Sequence, residues 1–239
     1  NFIGGFESSN DKNIGKKIGS ILDLKINRTV SKEKEKIISK SNVVIDFTTP
    51  QSTKAVVKIA TKYNTALVIG TTGLSKEIKK LLNDSSKKIP IFYSANMSIG
   101  VNLLFSLTKK TSKVLDVEEY DSEVEEAHHR YKVDAPSGTA IAIGEIISKA
   151  RNIDFNKKIV LDRTGKKTPR KKGDIGFSVT RGGDIAGEHA IRFISDDDEI
   201  ILSHKAKNRS IFVGGAIIAT KWIVKQKPGL YSMNNILEL

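Results

Sequence analysis

The sequence predicts an α/β protein: a doubly wound, largely parallel sheet, followed by an α+β region with an open mixed sheet. Two observations carry the first half. Three short apolar runs, NVVIDFTTP (42–50), TALVIGT (65–71) and IPIFYSANM (89–97), read as strands, because a continuous apolar run suits a strand buried on both faces. Helical patterns separate them with short connections, which implies parallel strands joined by right-handed crossovers. The second half rests on one further observation. Beyond a helical stretch at 139–150, the chain reads strand after strand: KIVLD, IGFSVTR, EHAIRFI and EIILSHKA.

Taken in order, NFIGGF (1–6) ends in Glu7, and about thirty polar, weakly patterned residues follow. Thr49 is a good N-cap and Pro50 a good first helical residue after the first apolar run. Ala55, Val56, Ile59, Ala60 and Tyr63 form the expected buried stripe of that helix. Ser75 caps a Lys-rich helix expected to end near Asn83, and a helix after Gly100 carries Val101, Leu104, Phe105, Thr108 and Val114 inward. Residues 116–126 hold seven acids and suit a strand better than a helix, the acids reading as its solvated face. Asp196–Asp198 marks a hairpin turn. In SIFVGGAIIATKWIV (210–224), Phe212, Gly215, Ala216, Ala219, Trp222 and Ile223 fall on one helical face. A long open sheet with no evident cover is a candidate for pairing between subunits.

Composition narrows the classes. A chain of 239 residues, 38% hydrophobic and 28% charged, fits a soluble globular protein of one large or two small domains. No run of eighteen apolar residues suggests a membrane span, and NFIGGFESSN lacks the basic start of a secretory signal. The absence of cysteine excludes disulfides and thiolate metal sites, and with only four histidines no metal site is expected. A cytoplasmic setting is the default. The net charge of +13 raises nucleic-acid binding. However, 32 of the 40 basic residues are lysines spread along the chain, and 6% aromatic content leaves bases little to stack on. The densest cluster, KKTPRKK (166–172), reads as a solvated loop, or as cations steering an anionic ligand.

The stretch EEAHHRYKVDAPSGTA (125–140) concentrates chemistry. His128 and His129 titrate near neutral pH, and Lys132 is a compact cation that can also give up a proton. Pro136–Thr139 opens a helix whose Ala140, Ile143, Gly144 and Ile147 fall at helical spacing. Bare N–H groups at such a start bind a carboxylate or phosphate. Proton carrier, cation and anion cradle together describe a site for a small, negatively charged substrate. Elsewhere, ligands of parallel sheets lie beyond the strands' carboxyl ends. Here those ends are Gly70-Thr71-Thr72 and Ser94-Ala95-Asn96-Met97, which suit either a dinucleotide or simple loops that need glycine.

The first stretch resembles the signature of the 4-hydroxy-tetrahydrodipicolinate reductase (dihydrodipicolinate reductase) family, E-x-H-H-x-x-K-x-D-A-P-S-G-T-A, at every position from Glu126. IGTTG (69–73), A-N-x-S-x-G-V-N (95–102) and RGGDIAGEH (181–189) also resemble family motifs. The resemblance implies reduction of a cyclic imine bearing two carboxylates by NADH or NADPH, in lysine and diaminopimelate biosynthesis. His128 is then the proton donor/acceptor and Lys132 the second proton donor, while His129, Gly138 and Thr139 hold substrate. Gly70, Thr71, Thr72, Ser94, Ala95, Asn96 and Met97 contact the cofactor. It further implies a Rossmann-like nucleotide domain (1–99 with 209–239), a substrate and assembly domain (100–208), and a homotetramer joined through the open sheet. The alternative is a member of the family that acts only as a binding or scaffold protein.

The family opens with a strand, a Gly-rich turn (G-x-x-G-R-M-G) and a helix that holds pyrophosphate. Nothing similar occurs between Asn1 and Asp46. Phe2–Phe6 instead resembles the family's second strand, making Glu7 the ribose-binding acid. On that alignment about thirty residues are missing ahead of Asn1. The expectation is then two exposed strand edges, cofactor binding by these 239 residues far weaker than in a complete reductase, and a chain that is inactive or prone to aggregate.

Overall fold

The computed structural model describes residues 1–238. They form two compact units, Asn1–Met97 with Gly214–Glu238, and Ser98–Val213.

The first unit begins with β1 (Gly5–Phe6), α1 (Ile18–Leu22), β2 (Val30–Ser31) and α2 (Lys34–Ile38). It continues through β3 (Val43–Asp46), α3 (Pro50–Lys62), β4 (Ala66–Ile69), α4 (Lys76–Ser86) and β5 (Pro90–Tyr93). Both expected caps form: Thr49 Oγ1 accepts from Ser52 N, and Ser75 Oγ accepts from Ile78 N. Strands β3, β4 and β5 pair in parallel. Leu67, Val68, Ile69, Ile91 and Phe92 are fully buried, each large side chain contributing about 1.5–3 kcal/mol of transfer free energy. Helix α4 runs three residues past the expected end at Asn83, and Tyr63 departs from the expected stripe of α3. Tyr63 is the C-cap, is exposed, and donates its hydroxyl to Glu35.

The second unit holds α5 (Ile99–Val114), β6 (Asp121–His128), α6 (Gly138–Ala150), α7 (Phe155–Lys158), β7 (Ile159–Val160), β8 (Ile175–Arg181), β9 (Glu188–Ile194) and β10 (Glu199–Lys205). Its five-stranded sheet has the order β10-β9-β6-β8-β7, with β6 parallel to β8 and antiparallel to β9. Val124, Ile191 and Phe193 on one face pack with Ile143 and Ile147 of α6. The opposite face carries Glu123, Glu125, Arg192 and Glu199, and among the described residues no helix of the same unit supplies it with a core cluster. The expected strand KIVLD is reduced to Ile159–Val160. Before it comes the short helix α7, capped by Asp154, whose carboxylate accepts from Asn156 N. Val114 is 81% exposed, because as the last residue of α5 it lies past the packed turns. Ser195 and Asp198 close the hairpin expected at Asp196–Asp198.

Helix α8 (Ser210–Ile223), β11 (Gly229–Tyr231) and α9 (Met233–Leu237) complete the chain. β11 adds to β5, giving a parallel sheet of order β11-β5-β4-β3. Gly215, Ala216, Ala219 and Ile223 of α8 are buried, as its small-residue face requires. Strand β1 is shorter than the Phe2–Phe6 run, and it pairs only with β2, in parallel. Among the described residues, β1 and β3 each keep one edge unpaired. Phe2–Phe6 and Val43–Ile45 line a cleft of about 920 Å³.

Candidate active site

Two groups of expected site residues form, one in each unit. In the first unit, register pairs Asp46 with Ile69 and Ile69 with Tyr93, so three strands end together. The loops Gly70–Thr72 and Ser94–Met97 therefore leave one edge of the sheet. The buried Asp46 carboxylate organises this edge, accepting from Thr48 N, Thr48 Oγ1 and Thr53 Oγ1. Thr71 Oγ1 joins the same network, accepting from Thr48 N at 3.1 Å. A Cβ on Gly70 would fall 2.3 Å from the Phe47 ring, whereas around Gly73, at φ +70, space is open. Ser94 turns its hydroxyl onto Asn96 O. Met97 is buried, and its carbonyl lies so close to Gly215 that a Cβ there would be 1.7 Å away. Thr72 and Ala95 are exposed. An edge with an uncrowded glycine turn, exposed loop residues and a rigid floor fits a nicotinamide dinucleotide lying across it. Glu7, exposed, follows β1 and donates its N–H to Ser31 O.

In the second unit the centre is Glu126, whose side chain is fully buried. Strand alternation turns it, with Ser122 and Val124, away from the solvated face that was expected for the acids of this strand. Burial is tolerated because every lone-pair direction of its carboxylate is used. Oε1 accepts from Ser137 N at 3.0 Å and Arg181 Nη2 at 2.7 Å. Oε2 accepts from Arg181 Nη1 at 2.9 Å and faces Nδ1 of His128 in a short hydrogen bond. Burial pushes this carboxyl up, but Arg181, His128 and the Ser137 N–H outweigh it and hold the group below its ordinary range.

His128 ends β6 with its Nδ1 thus engaged. Its Nε2 lies 3.2 Å from where a Cβ of Gly187 would sit, and Gly187 has φ +150, a conformation suited only to glycine. Burial lowers the His128 pKa, Glu126 opposes this, and the nearby Lys132 and Arg181 charges lower it further. His189, directly across from Glu126 in register, packs its ring 5.1 Å from that of His128. It shares a hydrogen bond of 3.1 Å with Ser137 Oγ. Burial, reinforced by His128, lowers its pKa to about 4, so it is neutral at physiological pH. Glu126, His128 and His189 converge as metal ligands do. The carboxylate, however, is saturated by donors that include a guanidinium, which disfavours a cation there.

Ser137 caps α6, its hydroxyl accepting from Ala140 N, so Gly138 and Thr139 form the first turn. No atom lies within 4 Å of a Cβ position on Gly138. Lys132 Nζ donates to both oxygens of Asp134 at 2.7 and 2.8 Å. Lys132 first, with smaller help from nearby backbone N–H groups, holds Asp134 below its ordinary pKa. His129 departs from its neighbour: its Nε2 accepts from Arg209 Nη2 at 3.1 Å, and its Nδ1 is buried without a hydrogen-bond partner.

Sequence reasoning assigned no roles to Arg181, His189, Gly187, Ser137, Glu126 or Asp46. Five of these lie within the stretches 125–140 and 181–189 quoted from the sequence, but pairing such as Glu126 with Arg181 spans 55 positions. No periodicity reveals that.

Comparison with known proteins finds a family match for each half of the chain. The family description "Dihydrodipicolinate reductase, N-terminus" matches residues 1–97, and "Dihydrodipicolinate reductase, C-terminus" matches residues 100–237. A 4-hydroxy-tetrahydrodipicolinate reductase of Rickettsia bellii is 49% identical over 195 residues, 81% of this chain and 74% of that protein. One from Rhodopseudomonas palustris is 40% identical over 237 residues, 99% of this chain and 87% of its own length. In fold, the chain is similar to a dipicolinate-bound dihydrodipicolinate reductase from Paenisporosarcina sp. TG-14, with a TM-score of 0.76 at 22% identity over 98% of this chain and 89% of that one. With both halves matched across nearly all its length, the chain belongs to the dihydrodipicolinate reductase family.

Proposed function

We propose that this chain reduces 4-hydroxy-tetrahydrodipicolinate, through its dehydrated cyclic imine, using NADH or NADPH. One observation carries the reading: in the loop that follows His128, a carboxylate already takes the Lys132 ammonium on both of its oxygens. That carboxylate belongs to Asp134, and a dicarboxylate substrate would claim the same donor. The bound nicotinamide supplies the hydride.

The chain's residues do the rest. Gly138 and Thr139 present first-turn N–H groups to one carboxylate, and His129, beside Arg209, faces the other. Burial makes the free His128 a weak base, but a bound dianion favours its imidazolium, so substrate arrives where its own charge raises the proton donor. The enamine left by hydride addition needs one proton, which His128 gives to the carbon next to the reduced centre, and Lys132, the second proton donor, replaces that proton on His128. Gly70–Thr72 and Ser94–Met97 hold the nicotinamide half of the cofactor, and Glu7 the ribose. The uncovered face of the second unit's sheet, with Arg192 beside Glu125 and Glu199, pairs with a second copy and supports a homotetramer. Among the described residues no helix is long and apolar enough to cross a membrane, and we place the enzyme in the cytoplasm.

Calorimetric titration with dipicolinate tests the substrate half without turnover. The wild-type chain is expected to bind, and Lys132→Ala and Gly138→Val each to weaken binding at least tenfold. Equal affinity in all three would refute the assignment.

A further inference from the structure

We infer that Glu126 is a positioning residue: one buried carboxylate fixes both the ring of His128 and the Ser137–Thr139 turn, with Arg181 as its permanent counter-cation. This rests on the reductase reading above and adds how the site is held ready.

The argument starts from saturation. A carboxylate offers about four lone-pair sites, and those of Glu126 are taken by two Arg181 nitrogens, Ser137 N and His128 Nδ1. It has no capacity left to accept a substrate proton. What it does is geometric. By accepting at Nδ1 it leaves a neutral His128 only one tautomer, with the proton on Nδ1 and the lone pair on Nε2. Ring flipping would bring Nε2 or a carbon against the carboxylate, so orientation is fixed as well. Through its other oxygen the same side chain anchors the N–H of the residue that caps α6. Proton carrier and carboxylate cradle are thus held by atoms of one rigid group. Arg181 makes this permanent, because it bonds both carboxylate oxygens and also donates to Asp134 O at 2.7 Å, reaching the loop that carries Lys132.

The charged and titratable groups around His128 are Glu126 on its own strand, Lys132 in the following turn, Arg181 at the end of β8, and His189 on β9. His204, paired with His189 in register on β10, lies one strand further out. Of these, only Glu126 favours the imidazolium.

Glu126→Gln separates positioning from mere stability. With the amide oxygen in the place of Oε1 it still accepts from Ser137 N and Arg181 Nη2, while its NH₂ gives up the Arg181 Nη1 bond, faces His128 Nδ1 and forces the opposite tautomer. The expected result is a fall in kcat of roughly 10²-fold, with KM within about threefold, and a fall of the His128 titration midpoint. Nitrogen-15 NMR of the imidazoles supplies a readout independent of turnover: Nδ1–H in the wild type, Nε2–H in the variant. A wild-type His128 carrying its proton on Nε2 would overturn the inference, even if Glu126→Gln fails to fold. So would an unshifted His128 titration in a folded variant. A correct tautomer in a wild-type protein that turns over no substrate would instead count against the reductase reading and leave this one standing.

Discussion

Replacing Arg181 with methionine should make the protein's stability depend on pH in the opposite sense from the wild type. The Glu126 side chain is fully buried and that of Arg181 only 18% exposed, so the variant strands a carboxylate inside the second unit. Removing one member of a buried pair costs about 3–5 kcal/mol. With the Arg181 rim reaching solvent, about 3 kcal/mol at pH 7 is the expected loss. For a chain of this size that lowers Tm by about 6–12 °C. In the wild type the folded Glu126 pKa is depressed, so its contribution is present above the unfolded carboxylate pKa and fades as pH falls through the folded value. Without Arg181, burial dominates and the folded pKa lies above the unfolded one. The protonated form then relieves the strain, and the deficit shrinks as pH is lowered from 7.5 towards 5. Urea unfolding of both proteins across that range measures this directly. Adding Glu126→Gln to the variant should return at least half the loss. A deficit that stays constant from pH 5 to 8 would refute the description of Glu126 as a buried anion held by Arg181.

Three further outcomes follow from the same geometry. Gly215→Ala drives a methyl into the Met97 carbonyl, so the Ser94–Met97 loop must move, and reduced-nicotinamide affinity should fall about tenfold by fluorescence titration; unchanged affinity would detach that loop from the cofactor. Asp134→Ala removes the carboxylate that competes for Lys132, and since exposed pairs are worth about 0.2–1 kcal/mol, dipicolinate should bind a few-fold tighter by calorimetry. Weaker binding would show that Asp134 assists the ligand. Gly187→Ala combines an unsuitable φ with contact against His128 Nε2, and is expected to lower kcat more than it lowers Tm-derived stability.

Much of the architecture was legible because burial on two faces leaves a plain signature. β3, β4 and β5 lie inside their apolar runs, and the caps at Thr49 and Ser75 follow from local side-chain chemistry. β8 and β9 coincide with IGFSVTR and EHAIRFI. What was not legible depended on partners far along the chain. Glu126 stands among seven acids and reads as one more solvated charge until β6 and β8 align it with Arg181. Tyr63 and Val114 keep the helical spacing of their stripes, yet each sits at a helix end where packing stops. α7 is four residues long and shows no periodicity to detect. For the site, the proposed reactive residues stand in the sequence as a contiguous stretch, whereas the groups packed against them, Arg181 and His189, arrive from β8 and β9.

The central claim is that His128 and Lys132 protonate a dicarboxylate imine as it is reduced. Coupled turnover tests it most directly: dihydrodipicolinate synthase supplies the substrate, reduced nicotinamide is given at millimolar concentration, and its absorbance is followed. The folded chain should oxidise the cofactor only when the synthase product is present, and Lys132→Ala should turn over roughly 10²-fold more slowly. Substrate-dependent oxidation undiminished in Lys132→Ala, or none at all from folded wild-type protein at saturating cofactor, would contradict the account.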